Sequence, residues 1–288
     1  MRGENFDDTL QISDIEQGRR VFRRKQNIRS VFISCISFLA VLSAIVLVLS
    51  NSEGWEKVKF TYFNPEMFVR SFPQVAKGLL TNLQIFSVAI VVVSLTAVLL
   101  AVVRTTRSSV LFPLRVLAIG YTSIFRGVPL ILMLYLVGFG IPALGIFGRI
   151  EGWILGVIAV SISYSAYVSE IIRAGLEAVH PSQRMAARAL GFSYVRTVRS
   201  IILPQGVRKV IPALMNDLVA LQKDVGLVSV IGITDVIRQA QKFNAVTFNY
   251  TPYVVAALLF ICMSIPLILL TDWYSRKVQR REQMQGAV

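Results

Sequence analysis

Charge is scarce in this chain. Charged residues fill 16% of its 288 positions, where soluble domains carry about 25%. Hydrophobic residues account for 55%, so a soluble globular protein is not the class to expect. Metal-ligating side chains are scarcer still. The one histidine is His180, and the two cysteines, Cys35 and Cys262, lie in separate apolar runs. They suit small buried side chains better than a disulfide, and no metal constellation can be assembled. The phosphate-cradling pattern G-x-x-x-x-G-K-[ST] occurs nowhere. The chain is therefore not expected to be an enzyme that hydrolyses ATP, nor to carry a cofactor of its own. A net charge of +14 would suit nucleic acid or acidic lipid. The basic residues gather at the ends of the apolar runs, as they do in membrane proteins, so membrane lipid is the expected surroundings and nucleic acid is not.

What the sequence has in abundance is long apolar runs. A helix needs roughly 20 apolar residues to cross a bilayer. The first such run, Val31 to Ser50, follows a basic cluster of Arg19, Arg20, Arg23, Arg24, Lys25 and Arg29. A cleaved signal peptide would have an apolar region of about 7–15 residues and a small-residue cleavage site. This run is longer and shows no such site, so it reads as a retained anchor. Residues 51–77 are polar, with Trp55, Tyr62 and Phe63 as interfacial aromatics. Further runs cover Leu79 to Val103, closed by Arg104 and Arg107, then Pro113 to Gly140, Trp153 to Ile172 and Tyr253 to Leu270. The third is interrupted by Arg126-Gly127-Val128-Pro129.

Val210 to Ile233 has spanning length but contains Asn216, Asp217, Gln222, Lys223 and Asp224. Charge balance argues for keeping it as a span. With six spans and both termini cytoplasmic, 21 basic residues fall inside and 7 outside. Removing this span would put the C-terminal cluster Arg276, Lys277, Arg280 and Arg281 outside, against that bias. The expected fold is an all-α, polytopic membrane helix bundle of about six spans in a bacterial cytoplasmic membrane. Residues 1–30 would be a cytoplasmic tail, 31–77 an additional span with an extracytoplasmic segment, 78–274 the core, and 275–288 a second cytoplasmic tail.

The charged span carries one candidate site. At 100° per residue Asn216 nearly eclipses Lys223, and Asp217 nearly eclipses Asp224, so all four fit an arc of about 120°. Ala220 lies inside that arc and leaves room above it. Such costly residues should face protein or a water-filled path. A zwitterionic amino acid needs an acidic partner for its ammonium and a basic one for its carboxylate, and this face offers both. The alternative is an internal network in which Lys223, Asp224 and Arg126 neutralise one another. Arg126 and Asp224 each lie about 13 residues in from their cytoplasmic ends, roughly 20 Å deep, so they could meet. Glu170 lies nearer the cytoplasmic end of its span, where a structural or coupling role fits.

The long basic loop, Arg173 to Lys209, carries the other. Pro181-Ser182 is a helix start and Gly191 a helix stop, enclosing a short helix about 13 Å long. Ala186, Ala187 and Ala189 keep it slim enough to enter a groove on another protein. Arg184 and Arg188, one turn apart, could meet acidic groups there. A second amphipathic helix would lead back to the membrane, with Pro204 at its bend. The alternative is a solvated loop packed on its own bundle.

This loop resembles a motif of binding-protein-dependent ABC importer permeases, written EAA, three residues, G, nine residues, I-x-L-P. Ala186-Ala187, Gly191, Ile201, Leu203 and Pro204 fall at those offsets, and Met185 replaces the usual glutamate. Tyr167 to Gly175, Arg126-Gly127-Val128-Pro129-Leu130, and Leu203 to Gly232 are similar to segments of the polar amino acid branch. In most relatives threonine and serine follow the Lys-Asp pair, whereas Val225 and Gly226 follow Lys223-Asp224 here. The likeness covers roughly Gly78 to Tyr274. It implies a helix-turn-helix coupling loop, with Met185, Ala186, Ala187, Arg188 and Gly191 meeting a cytoplasmic ABC ATPase dimer that binds ATP and Mg. It also implies a second permease chain, identical or homologous, and an extracytoplasmic substrate-binding protein. Asn216, Asp217, Lys223, Asp224 and Arg126 would then line the path of a polar amino acid. The competing class is a secondary carrier driven by an ion gradient, with Asp217 and Asp224 as ion or proton sites. A carrier has no need of the loop. A membrane scaffold has no need of the charged span.

Overall fold

A computed structural model describes residues 14–52, 54–106 and 108–285. Arg107, expected to close the second apolar run, and the first 13 residues of the expected tail lie outside the described residues. The chain divides between Phe60 and Thr61 into two compact units. The first contains α1 (Asp14–Ser50) and most of α2 (Trp55–Tyr62). Along α1, Phe32, Ile36, Leu39 and Leu47 are exposed, as expected of a helix solvated by lipid.

The second unit is helical among the described residues. It runs through α3 (Pro65–Thr105), α4 (Phe112–Gly127), α5 (Leu130–Tyr135), α6 (Ile141–Ala143), α7 (Gly152–Glu177), α8 (Pro181–Ala189), α9 (Tyr194–Thr197), α10 (Leu203–Asp224), α11 (Val236–Thr247) and α12 (Thr251–Gln285). α3 begins at Pro65, well before the apolar run that starts at Leu79, and so takes in the end of the stretch 51–77 expected to be an extracytoplasmic segment. Asn64 accepts a hydrogen bond from the Met67 N–H, and Pro65 fills the first turn. α4 and α5 are bent by 106°. The cause is local: Val128 precedes Pro129 and is held extended at φ −94°, ψ 123°.

Spanning length and apolarity are met by stretches within Gln26–Val48, Trp55–Thr105, Gly152–Glu177 and Thr251–Val278, and by the bent pair Phe112–Gly127 with Leu130–Ala143 if it counts as one. The expected six are reached only by adding α10, which is not among the apolar spans and carries Arg208, Lys209, Asp217, Lys223 and Asp224. α10 packs against α7 and α12 nonetheless. α3 and α7 form the centre. Ile85, Ala89 and Val93 of α3 meet Leu155, Ala159 and Val160 of α7 in one buried cluster, joined by Leu221 and the segment after α10. Small residues let the helices approach, which is how helices associate where lipid removes the hydrophobic drive. Cys35 and Cys262, expected to be buried, are both exposed. They sit on outward faces of apolar helices, where a small sulfur side chain is as acceptable as in a core.

α10 changes geometry after Asp224. Val225–Ile231 is a 3₁₀ segment, ended by Gly232 at φ +84°. Asn82 of α3 serves this junction. Its Nδ2 donates to the Val225 carbonyl (3.4 Å) and to Asp235 Oδ2 (3.1 Å), and its Oδ1 accepts from the Val236 N–H (3.1 Å). Gly78, one turn before Asn82, lets the chain pass: a Cβ there would lie 2.5 Å from the Asp235 carbonyl carbon.

Candidate functional site

The two stripes of α10 separate by burial. Asn216 and Lys223 are exposed, whereas Asp217 and Asp224 are half-buried, with Ala220 between them. Asp217 borders a cavity of about 260 Å³, walled chiefly by Ile90 and Val93 of α3, Tyr164 and Val168 of α7, and Leu214 and Leu221 of α10 itself. The Tyr164 hydroxyl donates to Asp224 Oδ2 at 2.7 Å. The helix side away from the carboxylates is tied to α12, where Ser264 donates to Gln222 Oε1 at 2.6 Å. Among the described residues no ion pair reaches Asn216, Asp217, Lys223 or Asp224. The face therefore offers a carboxylate beside an apolar hollow, a second carboxylate held by a phenol, and an exposed ammonium.

Arg126 is not part of it. Its Nη1 lies 3.7 Å from Glu170 Oε2. Glu170 also pairs with Arg104 at 2.6 Å and with Arg173, which reaches on to Glu177 at 2.6 Å. The depth expected for Arg126 assumed a straight span. Instead α4, ended by the bend at Val128-Pro129, is tied along α7, with Tyr121 Oη donating to the Ile162 carbonyl (2.8 Å) and Tyr167 Oη to the Arg126 carbonyl (2.9 Å). Arg126 is thereby set beside Glu170, and among the described residues no ion pair joins it to Asp224. Glu170 is a joint among α3, α4 and α7, in keeping with a structural role.

In the loop, α8 occupies Pro181–Ala189. His180 caps it through Nδ1, which accepts from the Ser182 N–H at 3.2 Å. At the other end Gly191 takes φ +77°. The Gly191 N–H reaches the Arg188 carbonyl (2.9 Å) and the Phe192 N–H the Ala187 carbonyl (3.0 Å), the Schellman pattern. Met185 is 64% exposed, and Ala186, Arg188 and Gly191 are exposed with it. Ala187 is 1% exposed and covered by its own chain, so it does not present itself to a partner. Arg184, also expected to face outward, donates to the Leu176 carbonyl at 3.3 Å. The second helix of the loop is not separate. α9 passes through a π-helical turn, Val198–Ile202, directly into α10. Pro204 lies at the point where this π-helical turn passes into α10, a place where the hydrogen-bond ladder is already irregular and the proline's missing N–H is accommodated.

Comparison with known proteins decides the class. Residues 97–280 match the family of binding-protein-dependent transport system inner membrane components. The chain belongs to this family. It is a permease subunit of an ABC-type importer and not an ion-driven carrier, and the family works with a substrate-binding protein and an ATPase. The arginine transport system permease protein ArtQ of Bacillus subtilis is 36% identical over 214 residues, covering 74% of this chain and 94% of that one. A putative glutamine transport system permease protein of Rickettsia conorii is 34% identical, covering 75% and 97%. A crystal structure of an amino acid ABC transporter with histidines contains a chain with 33% identity and a TM-score of 0.65, over 73% of this chain and 96% of that one.

Tyr164 was not found by sequence reasoning. A tyrosine among Ser161, Ser163 and Ser165 gives a hydroxyl cluster within an apolar run, and that was the available signal. Asn82 and Asp235 were equally silent, because their pairing joins residues 153 apart.

Proposed function

We propose that this permease imports a polar amino acid, and that its path runs along the α10 face bearing Asn216, Asp217, Lys223 and Asp224. The observation that carries this reading is a pair of carboxylates, one of them beside an apolar cavity, on the same helix face as the exposed Lys223 ammonium, with no ion pair to any of the three among the described residues. Such a face binds an α-amino group at the carboxylates and a carboxylate group at Lys223, and the hollow receives a side chain. The arginine and glutamine permeases among its relatives support an amino acid as cargo. A second permease chain, identical or homologous, covers the exposed stripe. Both termini and the α7–α10 loop lie in the cytoplasm, which the distribution of basic residues supports. There Met185, Ala186 and Arg188 meet the ATPase dimer, which binds ATP and Mg, and Gly191 shapes the end of the contact. The binding protein delivers substrate from the other side.

The test is reconstitution of the co-purified complex in liposomes with loaded binding protein on one face and ATP on the other. Uptake of a radiolabelled polar amino acid should require ATP and should persist when ion gradients are collapsed. Uptake that ignores ATP and follows an ion gradient would remove the reading.

A further inference from the structure

The last four carbonyls of a helix have no partner within it, and they form the negative end of its dipole. At the C-terminal end of α7 two carbonyls, those of Leu176 and of the capping residue Ala178, are met by cations from outside the helix. Lys209 of α10 donates through Nζ to the Ala178 carbonyl at 2.7 Å. Arg184 of α8 donates to the Leu176 carbonyl at 3.3 Å. Beside them the backbones of α7 and α10 touch. A Cβ on Gly206 would lie 2.9 Å from Leu176 Cα, and a Cβ on Gly175 would strike the Gly206 carbonyl oxygen. Gln205 Nε2 donates to Gln183 Oε1 at 3.4 Å, closing the ring between α10 and α8. Three helices are thus joined at one point, by two glycines without side chains and by two cations on one helix end.

We infer that Lys209 and Gly206 are positioning residues that weld α7, α8 and α10 into a single lever. From Gly206 to Asp217 is eleven residues of α10, about 16 Å, and to Asp224 about 27 Å. A displacement of α8 then arrives at the carboxylates through α10, which stays helical past Pro212, and that helical run ends at the 3₁₀ segment Val225–Ile231. A loop hinged freely at Ala178 and Leu203 would lose that displacement. The inference rests on the ATPase-coupled reading above, but its first test does not use transport.

Spin labels at Glu177→Cys and Arg208→Cys, both exposed positions, in an otherwise cysteine-free chain report the α7–α10 separation in the full complex. The distance distribution should be the same without nucleotide and with ATP trapped. In Lys209→Met it should broaden, and in Lys209→Arg it should return to the narrow form. A distance that shifts with nucleotide in the unsubstituted lever would overturn the weld, whatever the cargo proves to be. The second readout is amino acid imported per ATP hydrolysed. Lys209→Met should assemble, keep basal hydrolysis, and lose roughly tenfold in this ratio, the scale of one charge-assisted hydrogen bond. Lys209→Arg should restore it. An unchanged ratio in Lys209→Met, or a loss of assembly in Lys209→Met that Lys209→Arg shares, would overturn the positioning role. Failure of the unsubstituted complex to couple uptake to ATP would instead count against the reading on which it rests.

Discussion

Substitution of Gly191 separates backbone strain from side-chain contact at the end of α8. Gly191 holds φ +77°, and no atom lies within 4 Å of the place a Cβ would take. A substitution there meets no steric obstacle, so its whole cost is conformational. A left-handed backbone costs a residue bearing a Cβ roughly 1–2 kcal/mol. That is a factor of about 5–30 in the population of the capped form. The two Schellman hydrogen bonds at Arg188 and Ala187 depend on that form. Gly191→Ala should therefore fray the last turn of α8 and reduce binding-protein-stimulated ATP hydrolysis several-fold. Gly191→Val, branched at Cβ, should do more, and Gly191→Asn, which tolerates this conformation, should recover much of the loss. All three should reach the membrane, because no span is altered. The assay is hydrolysis by reconstituted complexes with and without loaded binding protein. If Ala, Val and Asn behaved alike and like the unsubstituted chain, the shape of the α8 terminus would have no part in coupling.

Three further outcomes are expected. Ser182→Cys, in a background lacking Cys35 and Cys262, should resist an impermeant thiol reagent in intact cells and react after lysis; labelling of intact cells would reverse the proposed orientation. Asp217→Asn should leave the complex assembled and lower uptake by roughly tenfold or more, the scale of a lost ionic contact to substrate; normal uptake would take Asp217 out of the path. Burial raises the Asp235 carboxyl from 3.8 to about 6, so its contribution to stability is complete below about pH 4 and is lost as the pH rises through 6. The span of that loss is on the order of 3 kcal/mol, and a thermal-unfolding series that shows the same slope in Asp235→Asn would exclude this residue as its source.

The spans were legible because apolar length is a property of consecutive residues. So were the limits of α8, since Pro181 and Gly191 act on the backbone within one turn. Charge distribution supplied what hydropathy could not. It kept Val210 to Ile233 as a span, and α10 does pack inside the bundle there despite Asn216, Asp217, Gln222, Lys223 and Asp224. The bend at Val128-Pro129 was visible as an interruption, but its angle was not, and the error over Arg126 follows from that. Depth counted along a chain holds only while the helix stays straight. With α4 tied along α7 and ended by the bend, the arginine meets Glu170, and Asp224 accepts from a tyrosine that no periodicity singles out.

The same distinction explains the loop. Composition gave α8 a slim, alanine-rich surface, but it did not say which alanine faces outward. Ala187 lies beneath the helix, and Met185 and Ala186 lie above it. Arg184, one turn before Ala187, also turns back to the bundle and donates to the Leu176 carbonyl at the end of α7. A charge introduced at Ala187 would therefore break the loop from within, whereas one at Ala186 would act on whatever sits outside. A comparison of Ala187→Glu with Ala186→Glu puts this to use. Loss of assembly in the first, with assembly kept and stimulated hydrolysis lost in the second, is the result expected of a helix with one face welded to its own bundle and the other given to a partner. If both variants assembled and stimulated hydrolysis fully, neither face would touch the ATPase.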